Sequence, residues 1–197
     1  MYGVSYIKGR ILIAITGTPG TGKSYFAKRL HSSIPEVRII EINEVVKRHR
    51  LFSGIDVDRA KIVKMKALEK RLRKEVTNSK GPVALVGHLA ADLDMHYDIC
   101  IVTRRNLSKL ILTLKRRKYG GDKLSEDVFS EALDYCGVNS EPLSKELYEV
   151  ESEKEKLAAI KYIRGRVDGK KAAKPKLKMK RKLGELALIF KNGKIEA

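Results

Sequence analysis

Residues 11–24 read ILIAITGTPGTGKS, and this segment is the most informative one about the fold. Its first six residues form a short apolar run, which is typical of a strand buried on both faces of a parallel sheet. The glycine-rich part, GTPGTGKS, matches the pattern G-x-x-x-x-G-K-S/T and leads into a segment at 23–31 whose apolar spacing predicts a helix. A strand, a glycine loop and a helix in this order predict a phosphate-binding loop, the alternative being a glycine turn without a ligand.

The residue types in this loop suit the phosphates of a nucleotide. Glycines let backbone N–H groups turn toward a phosphate, and the N-terminus of the following helix adds its positive dipole end. Lys23 contributes a point charge, and the hydroxyl of Ser24 is an oxygen ligand for Mg²⁺. We therefore expect ATP and Mg²⁺ as cofactors. The candidate ATP site comprises Gly17, Thr18, Pro19, Gly20, Thr21, Gly22, Lys23 and Ser24.

The rest of the chain alternates short apolar segments with helical patterns. Further strands are predicted at 37–42, 83–86, 99–102 and, more weakly, 147–150. Further helices are predicted at 43–50, 58–77, 107–117, 125–135 and, behind a capping box at Ser152 and Glu155, 152–163. Alternation of this kind predicts an α/β fold of three layers, in which helices cover both faces of a five-stranded parallel sheet.

The positive charge is concentrated near the carboxyl end of the chain. The 197 residues carry a net charge of +18, of which +10 falls within 161–184. We expect a kinase-like domain at 1–163 and a basic extension at 164–197, solvated over 165–182 and ending in a hairpin formed by 186–190 and Ile195 around Asn192-Gly193. Such a charge favours a polyanionic partner.

The remaining composition excludes several classes of protein. Cys100 and Cys136 lie in apolar stretches without spacings typical of disulfide or zinc frameworks. The apolar run at 11–15 is too short for a membrane span or a secretory leader. We therefore expect a soluble, cytoplasmic protein without a membrane partner. The chain is short for a P-loop motor and lacks the guanine signature of GTPases, which leaves the small P-loop kinases.

Several motifs together resemble the adenylate kinase isoenzyme six family, whose members are also described as ribosome-assembly factors. These are the GTPGTGKS loop, Glu41-Ile42-Asn43-Glu44, Gly87-His88, Val102-Thr103-Arg104, and the later positions Leu110, Leu114, Arg117, Tyr119, Lys123 and Leu124. The resemblance covers roughly residues 10–150. It implies a nucleoside monophosphate kinase fold with a monophosphate-binding segment at 43–77 and a lid at 116–128.

The resemblance also implies an activity and roles for single residues. It implies transfer of the γ-phosphoryl group of ATP to AMP, hydrolysis of ATP during maturation of the small ribosomal subunit, or both, with rRNA or a small-subunit ribosomal protein as partner. Lys23 and Ser24 would hold the phosphates and Mg²⁺, and Glu44 would lie on the AMP side. His88 would belong to an acidic-x-His motif, and Arg117 would be a lid cation over the phosphates. Lys23, His88 and Arg117 are thus the expected catalytic residues.

One position departs from the family pattern. The residue two before His88 is acidic in the family and helps to anchor the metal, whereas here it is Val86. Loss of that carboxylate removes charge where phosphoryl transfer depends on it. Asp92 and Asp94 could reach in from the following loop, or that loop could simply be solvated. The departure favours ATP binding over fast catalysis.

Other residues have structural alternatives that the sequence leaves open. His88 could cap a strand end, and Arg104, Arg105 and Arg116 are expected on the surface. The basic segment 59–73 predicts a helix with a solvated face, or one that faces RNA. Three functions remain in view: an ATP:AMP kinase, an ATP-gated assembly factor that binds RNA or a ribosomal protein, and a nucleoside or polynucleotide kinase.

Overall fold

A five-stranded parallel sheet forms the centre of the protein. The structure is a computed structural model that describes residues 11–55, 61–175, 182–191 and 194–195. The strands of the sheet are β1 (Leu12–Thr16), β2 (Arg38–Glu41), β5 (Val83–Val86), β6 (Ile99–Thr103) and β7 (Leu147–Val150). Their spatial order is β2-β5-β1-β6-β7, and all neighbouring strands run parallel. The predicted five-stranded parallel sheet is confirmed.

Helices connect the strands. They are α1 (Lys23–Ser33), α2 (Ile42–Arg48), α3 (Met65–Thr77), α4 (Leu107–Arg116), α5 (Gly121–Ala132), α6 (Tyr135–Ser140), α7 (Glu153–Val167) and α8 (Leu183–Ile189). The capping box predicted for α7 is present, since the Ser152 hydroxyl accepts from the N–H of Glu155 and the Glu155 carboxylate accepts from the N–H of Ser152. Within the described residues, no helix is both long enough and apolar enough to cross a membrane.

The sheet is buried on both faces, as its uninterrupted apolar strands require. Along β1, Leu12 and Ala14 belong to one core with α2 and α3, whereas Ile13 and Ile15 belong to the opposite core with α1 and α7. Full burial of an aliphatic side chain of this size contributes about 1.5–3 kcal/mol. Both cores therefore hold β1 in place, and they fix the position at which the glycine loop leaves it.

The structure corrects the predicted long helix at 58–77. Residues 52–55 and 61–63 form an antiparallel pair of strands, β3 (Phe52–Ile55) and β4 (Lys61–Val63), and α3 begins only at Met65. The sequence Lys61-Ile62-Val63 is too short to show the alternation typical of a strand, so the helical spacing of the following residues dominated the prediction. Residues 58–60, where that helix was predicted to begin, lie outside the described residues.

The carboxyl-terminal segment packs against the protein instead of ending in a long hairpin. The stretch 186–189, predicted as a strand, is the end of α8, and the hairpin is limited to β8 (Phe190–Lys191) and β9 (Lys194–Ile195). The turn residues lie outside the described residues. The Glu185 carboxylate accepts from the N–H of Leu107 at 2.8 Å, so it caps α4. Ile189 is buried in a third core with α4 and α5.

The predicted solvated segment 165–182 is wrong at both ends. Helix α7 continues to Val167, and Arg166 forms an ion pair with Glu146 at 2.6 Å. Lys182 is buried, and its ammonium group lies 3.0 Å from the carboxylate of Glu151. Lys170 and Lys171, between these ends, are exposed.

Candidate nucleotide-binding site

A cavity of about 310 Å³ opens where the carboxyl ends of β1, β2 and β5 meet. In open α/β sheets, ligands bind in the crevice outside this edge. The lining residues come from the glycine loop, α1, the end of β2, the start of α2, the residues after β5 and those after α4. They are Pro19, Gly20, Gly22, Lys23, Ser24, Tyr25, Glu41, Asn43, Gly87, His88, Arg117 and Tyr119.

Two glycines of the loop are required by its geometry. Gly17 has φ +135°, and a Cβ added there would lie 2.4 Å from the carbonyl oxygen of Thr103. Gly20 has φ +89°, and its Cβ would lie 2.9 Å from Cδ1 of Leu110. Both values are closer than atoms can approach without displacement. The loop therefore keeps its backbone close to β6 and α4, an approach that glycine permits at these two positions.

Buried hydroxyl groups hold the loop in this shape. Thr21 Oγ1 donates to the carbonyl oxygen of Thr18 at 2.8 Å and lies 2.8 Å from the hydroxyl of Thr103. Thr18 Oγ1 donates to Oε2 of Glu131 on α5 at 2.9 Å. Each threonine is almost completely buried. The loop is thus preorganised by contacts to a strand and a helix other than its own.

Lys23 lies at the start of α1, directly behind the loop. Its ammonium group donates to the carbonyl oxygens of Gly17 at 2.7 Å and Thr18 at 2.9 Å. Burial lowers the pKa of Lys23 to about 8, and the guanidinium of Arg117 acts in the same direction. A bound phosphate would raise the pKa of Lys23 again, because its negative charge stabilises the charged ammonium group.

Ser24 and Glu41 form a pair of oxygen donors beside Lys23. Both side chains line the cavity. Burial raises the pKa of Glu41, while the nearby Ser24 hydroxyl and the charge of Lys23 act to lower it. Mg²⁺ prefers hard oxygen ligands and keeps several waters and phosphate oxygens of its own. A hydroxyl and a carboxylate beside a phosphate loop therefore fit Mg²⁺. Among the described residues, no group of three or more His, Cys, Asp or Glu could hold a metal without such help.

His88 and Arg117 line the same cavity from different sides. His88 follows β5, and burial together with the charge of Lys23 lowers the pKa of its imidazole. It is therefore neutral at pH 7 and can donate one hydrogen bond and accept another. Arg117 ends α4, with its guanidinium exposed at the mouth of the cavity. Lys23 and Arg117 are thus two cations facing one space.

Glu44 lies apart from this cavity. Its side chain is exposed on α2 and forms an ion pair with Lys47 at 2.8 Å, which lowers the pKa of Glu44. The neighbouring Asn43 lines the cavity instead.

Neither acid considered as a replacement at Val86 reaches the cavity either. Asp92 accepts a hydrogen bond from the hydroxyl of Tyr135 at 2.8 Å, and Asp94 is exposed, with its N–H bonded to Glu69. Val86 itself is buried.

The structure corrects the expectation that Arg104 lies on the surface. Arg104 is 3% exposed, and its Nε lies 3.2 Å from Oε1 of Glu131. It also pairs with Asp134. Arg105 is partly buried and donates to the carbonyl oxygen of Gly20 at 3.2 Å, whereas Arg116 is exposed as predicted. Sequence reasoning could not find this network, because its partners lie about thirty positions away along the chain.

Glu41 is the main site residue that sequence reasoning missed. It was part of the motif Glu41-Ile42-Asn43-Glu44, but the role was assigned to Glu44. The available signal was its position near the carboxyl end of the predicted strand 37–42, because the carboxyl ends of parallel strands meet at the ligand site. Tyr119 was part of the resemblance and also lines the cavity.

The parallel sheet, the glycine loop after β1 and the two cations define a P-loop protein of the small nucleotide-kinase type. Residues 13–134 match AAA_18, described as an AAA domain, and the chain belongs to this family. It also belongs with archaeal proteins named "Putative adenylate kinase". The one from Methanosarcina barkeri is 33% identical over 71% of this chain and 76% of its own length. The one from Archaeoglobus fulgidus is 34% identical over 84% and 89%.

Solved structures agree on the fold. Shikimate kinase from Acinetobacter baumannii, in complex with shikimate, superposes with a TM-score of 0.55, covering 82% of this chain and 94% of its own. Its sequence is 11% identical. At this level of identity, the likeness supports the three-layer P-loop kinase architecture and carries no information about the phosphoryl acceptor.

Proposed function

We propose that this protein is an adenylate kinase, which transfers the γ-phosphoryl group of ATP to AMP. The observation that carries the proposal is the arrangement of Lys23 and Arg117 around one cavity that also holds the glycine loop. Phosphoryl transfer spreads negative charge over the transferred group, and fixed cations stabilise that charge. The names of the archaeal relatives support AMP as the acceptor.

Each site residue has a distinct task in this proposal. The backbone N–H groups of the loop and the ammonium group of Lys23 bind the phosphates of ATP. Ser24 holds Mg²⁺, which when bound offsets phosphate charge. Arg117, at the end of α4, approaches the transferred group from the lid side and offers its guanidinium fork to the phosphate oxygens. His88 is neutral, so it can orient a phosphate or a water without adding charge.

The acceptor side is the less specified part of the site. The resemblance assigns AMP to the segment 43–77 and names Glu44, and the cavity wall on that side contributes Glu41 and Asn43. Asn43 is a neutral side chain that can both donate and accept hydrogen bonds, as recognition of a nucleotide requires. We therefore assign AMP to this wall, with Asn43 nearer to it than Glu44.

A steady-state assay tests this proposal. ADP formation is followed with ATP and Mg²⁺ alone, and with AMP, a nucleoside, or a 5′-hydroxyl oligonucleotide added. An adenylate kinase forms ADP much faster with AMP than with ATP alone, and it forms two ADP for each ATP consumed. If only the nucleoside or only the oligonucleotide increases the rate of ADP formation, that compound is the acceptor and AMP is not.

A role in maturation of the small ribosomal subunit is a second candidate. The net charge of +10 within 161–184 favours it, because such a density of Lys and Arg attracts nucleic-acid phosphates. Hydrolysis of ATP that increases when small-subunit RNA is added, in the absence of AMP, would support this second function.

A further inference from the structure

Glu41 and Val86 are direct neighbours at the edge of the sheet where the cavity opens. Strands β2 and β5 run parallel, and their register pairs Glu41 with Val86. Val86 is apolar and buried, so β5 supplies no carboxylate at its end. The acid at this edge is instead provided by the adjacent strand.

The carboxylate of Glu41 is directed at the phosphate loop. It lines the cavity together with Lys23 and Ser24. The charged groups that face it are Lys23 and Lys28, which are positive, and Glu44, which is negative. It is therefore held beside the one loop residue whose hydroxyl suits Mg²⁺.

The Glu41 carboxylate does not cap the helix that follows it. Glu41 is the N-cap residue of α2, where a side-chain oxygen often accepts from the first N–H groups of the helix. Here no side-chain cap hydrogen bond is formed. The side chain does not cap the helix, and it lines the cavity to which Ser24 also contributes.

We propose that Glu41 is the metal-side carboxylate of this enzyme, supporting the Mg²⁺ held at Ser24 in place of the acid that Val86 lacks. The inference rests on the proposed function only in that the protein binds ATP with Mg²⁺, and it does not depend on AMP. The acid thus lies on β2, next to the strand β5 on which the family carries it, and neighbouring strands are about 5 Å apart. Mg²⁺ sites beside phosphates use one or two carboxylates and tolerate contact through water.

Binding of Mn²⁺, a paramagnetic substitute for Mg²⁺, tests the proposal without turnover. The Mn²⁺ affinity is measured by electron paramagnetic resonance with a non-hydrolysable ATP analogue bound, for the wild type and for Glu41→Gln. We expect Glu41→Gln to bind the analogue in EDTA at least as tightly as the wild type, because a negative charge near the phosphates is gone. Its Mn²⁺ affinity should fall about 10- to 100-fold, the range found for residues that support metal ligands.

Two matched variants control for charge and for the competing acid. Glu36→Gln removes an exposed carboxylate far from the cavity, and Asp92→Asn removes the acid that follows β5. Both should bind Mn²⁺ like the wild type. The double variant Glu41→Gln/Val86→Asp should recover part of the lost affinity, since it returns the acid to β5, and its thermal unfolding is recorded alongside.

The outcomes separate this inference from the adenylate kinase assignment. Loss of Mn²⁺ affinity in Glu41→Gln alone supports the inference even if AMP is not the acceptor. Equal Mn²⁺ affinity in Glu41→Gln and the wild type overturns it, as does a fall in Asp92→Asn that Glu41→Gln does not show. A wild type that binds the analogue without any effect of Mn²⁺ also overturns it.

Discussion

Thr18 in the phosphate loop and Glu131 in α5 are joined by a buried hydrogen bond of 2.9 Å. The other oxygen of the Glu131 carboxylate accepts from the N–H of Arg105 at 3.0 Å and lies 3.2 Å from Nε of Arg104. One carboxylate therefore connects the loop, the end of β6 and helix α5. A change at this position affects stability and nucleotide binding together.

Replacement of Glu131 should destabilise the protein strongly. In Glu131→Ala, the buried guanidinium of Arg104 loses one of its two acidic partners, a change that typically costs about 3–5 kcal/mol. Denaturation by urea measures the free energy of unfolding. Glu126→Ala, an exposed acid on the same helix, should change it by less than about 0.5 kcal/mol. Equal stability of both variants would contradict the role assigned to Glu131.

Binding of ATP should be accompanied by uptake of a proton at Lys23. Its pKa in the folded protein is about 8, below its ordinary value of 10.5, so the folded chain binds fewer protons than the unfolded chain between these values, and stability rises with pH there. Bound phosphates favour the charged ammonium group. At pH 8.5 we expect an uptake of up to about 0.7 of a proton per ATP.

Calorimetry in buffers with different ionisation enthalpies measures this uptake. It should vanish at pH 6.5, where Lys23 is already charged. Lys23→Ala, which should keep its fold and bind ATP weakly, supplies the control: residual binding at high ATP should take up no proton. Uptake that persists in this variant would assign the proton to another group.

Arg117 should affect the rate far more than ATP affinity. Arg117→Lys retains the charge but loses the planar fork that meets two phosphate oxygens, so kcat should fall at least about 10-fold, and Arg117→Ala at least about 100-fold. ATP affinity should change by less than about threefold, because the loop and Lys23 supply most of the binding. Arg116→Lys, at the adjacent exposed position, should behave as the wild type. A fall in ATP affinity without a fall in kcat would show that Arg117 contributes to the binding of ATP and not to the transfer step.

The basic extension should bind RNA through phosphates, with little dependence on sequence. With about five phosphates neutralised, the logarithm of affinity should fall with the logarithm of salt at a slope of roughly −3.5 to −4.5. Lys170 and Lys171 in the extension and Lys161 in the adjoining helix α7 are exposed, and their joint replacement by Gln should make the slope shallower by about 2–3. Replacement of Lys80, Lys109 and Lys154 changes net charge equally and should leave it unaltered. Equal slopes for both variants would reduce the extension to a solubilising role.

The sequence predicted the parts of the fold that depend on neighbouring residues. The strands were predictable because parallel strands buried on both faces are continuously apolar, and the glycine loop because its pattern requires glycine at fixed positions. The capping box of α7 was predictable for the same local reason. The β3–β4 hairpin was missed because three residues, Lys61–Val63, are too few to show a period of two beside the strong helical pattern of α3.

The site residues that belong to sequence motifs were predictable, whereas contacts between residues far apart along the chain were not. The partners of Arg104 are Glu131 and Asp134, and such long-range pairing leaves no local signal. The burial of Lys182 likewise depends on Glu151, on a distant segment. Glu41 is an intermediate case. Its place near the end of a predicted strand can be read from the sequence, but its pairing with Val86 follows only from the order of the strands.

Transfer of the γ-phosphoryl group from ATP to AMP can be measured directly with ATP that carries ³²P at its γ-phosphate. With AMP and Mg²⁺ present, we expect the label to appear in ADP, as the phosphate transferred to AMP, and we expect Lys23→Ala to transfer almost none. Label that appears in inorganic phosphate at the same rate with and without AMP would contradict the assignment of this protein as an adenylate kinase.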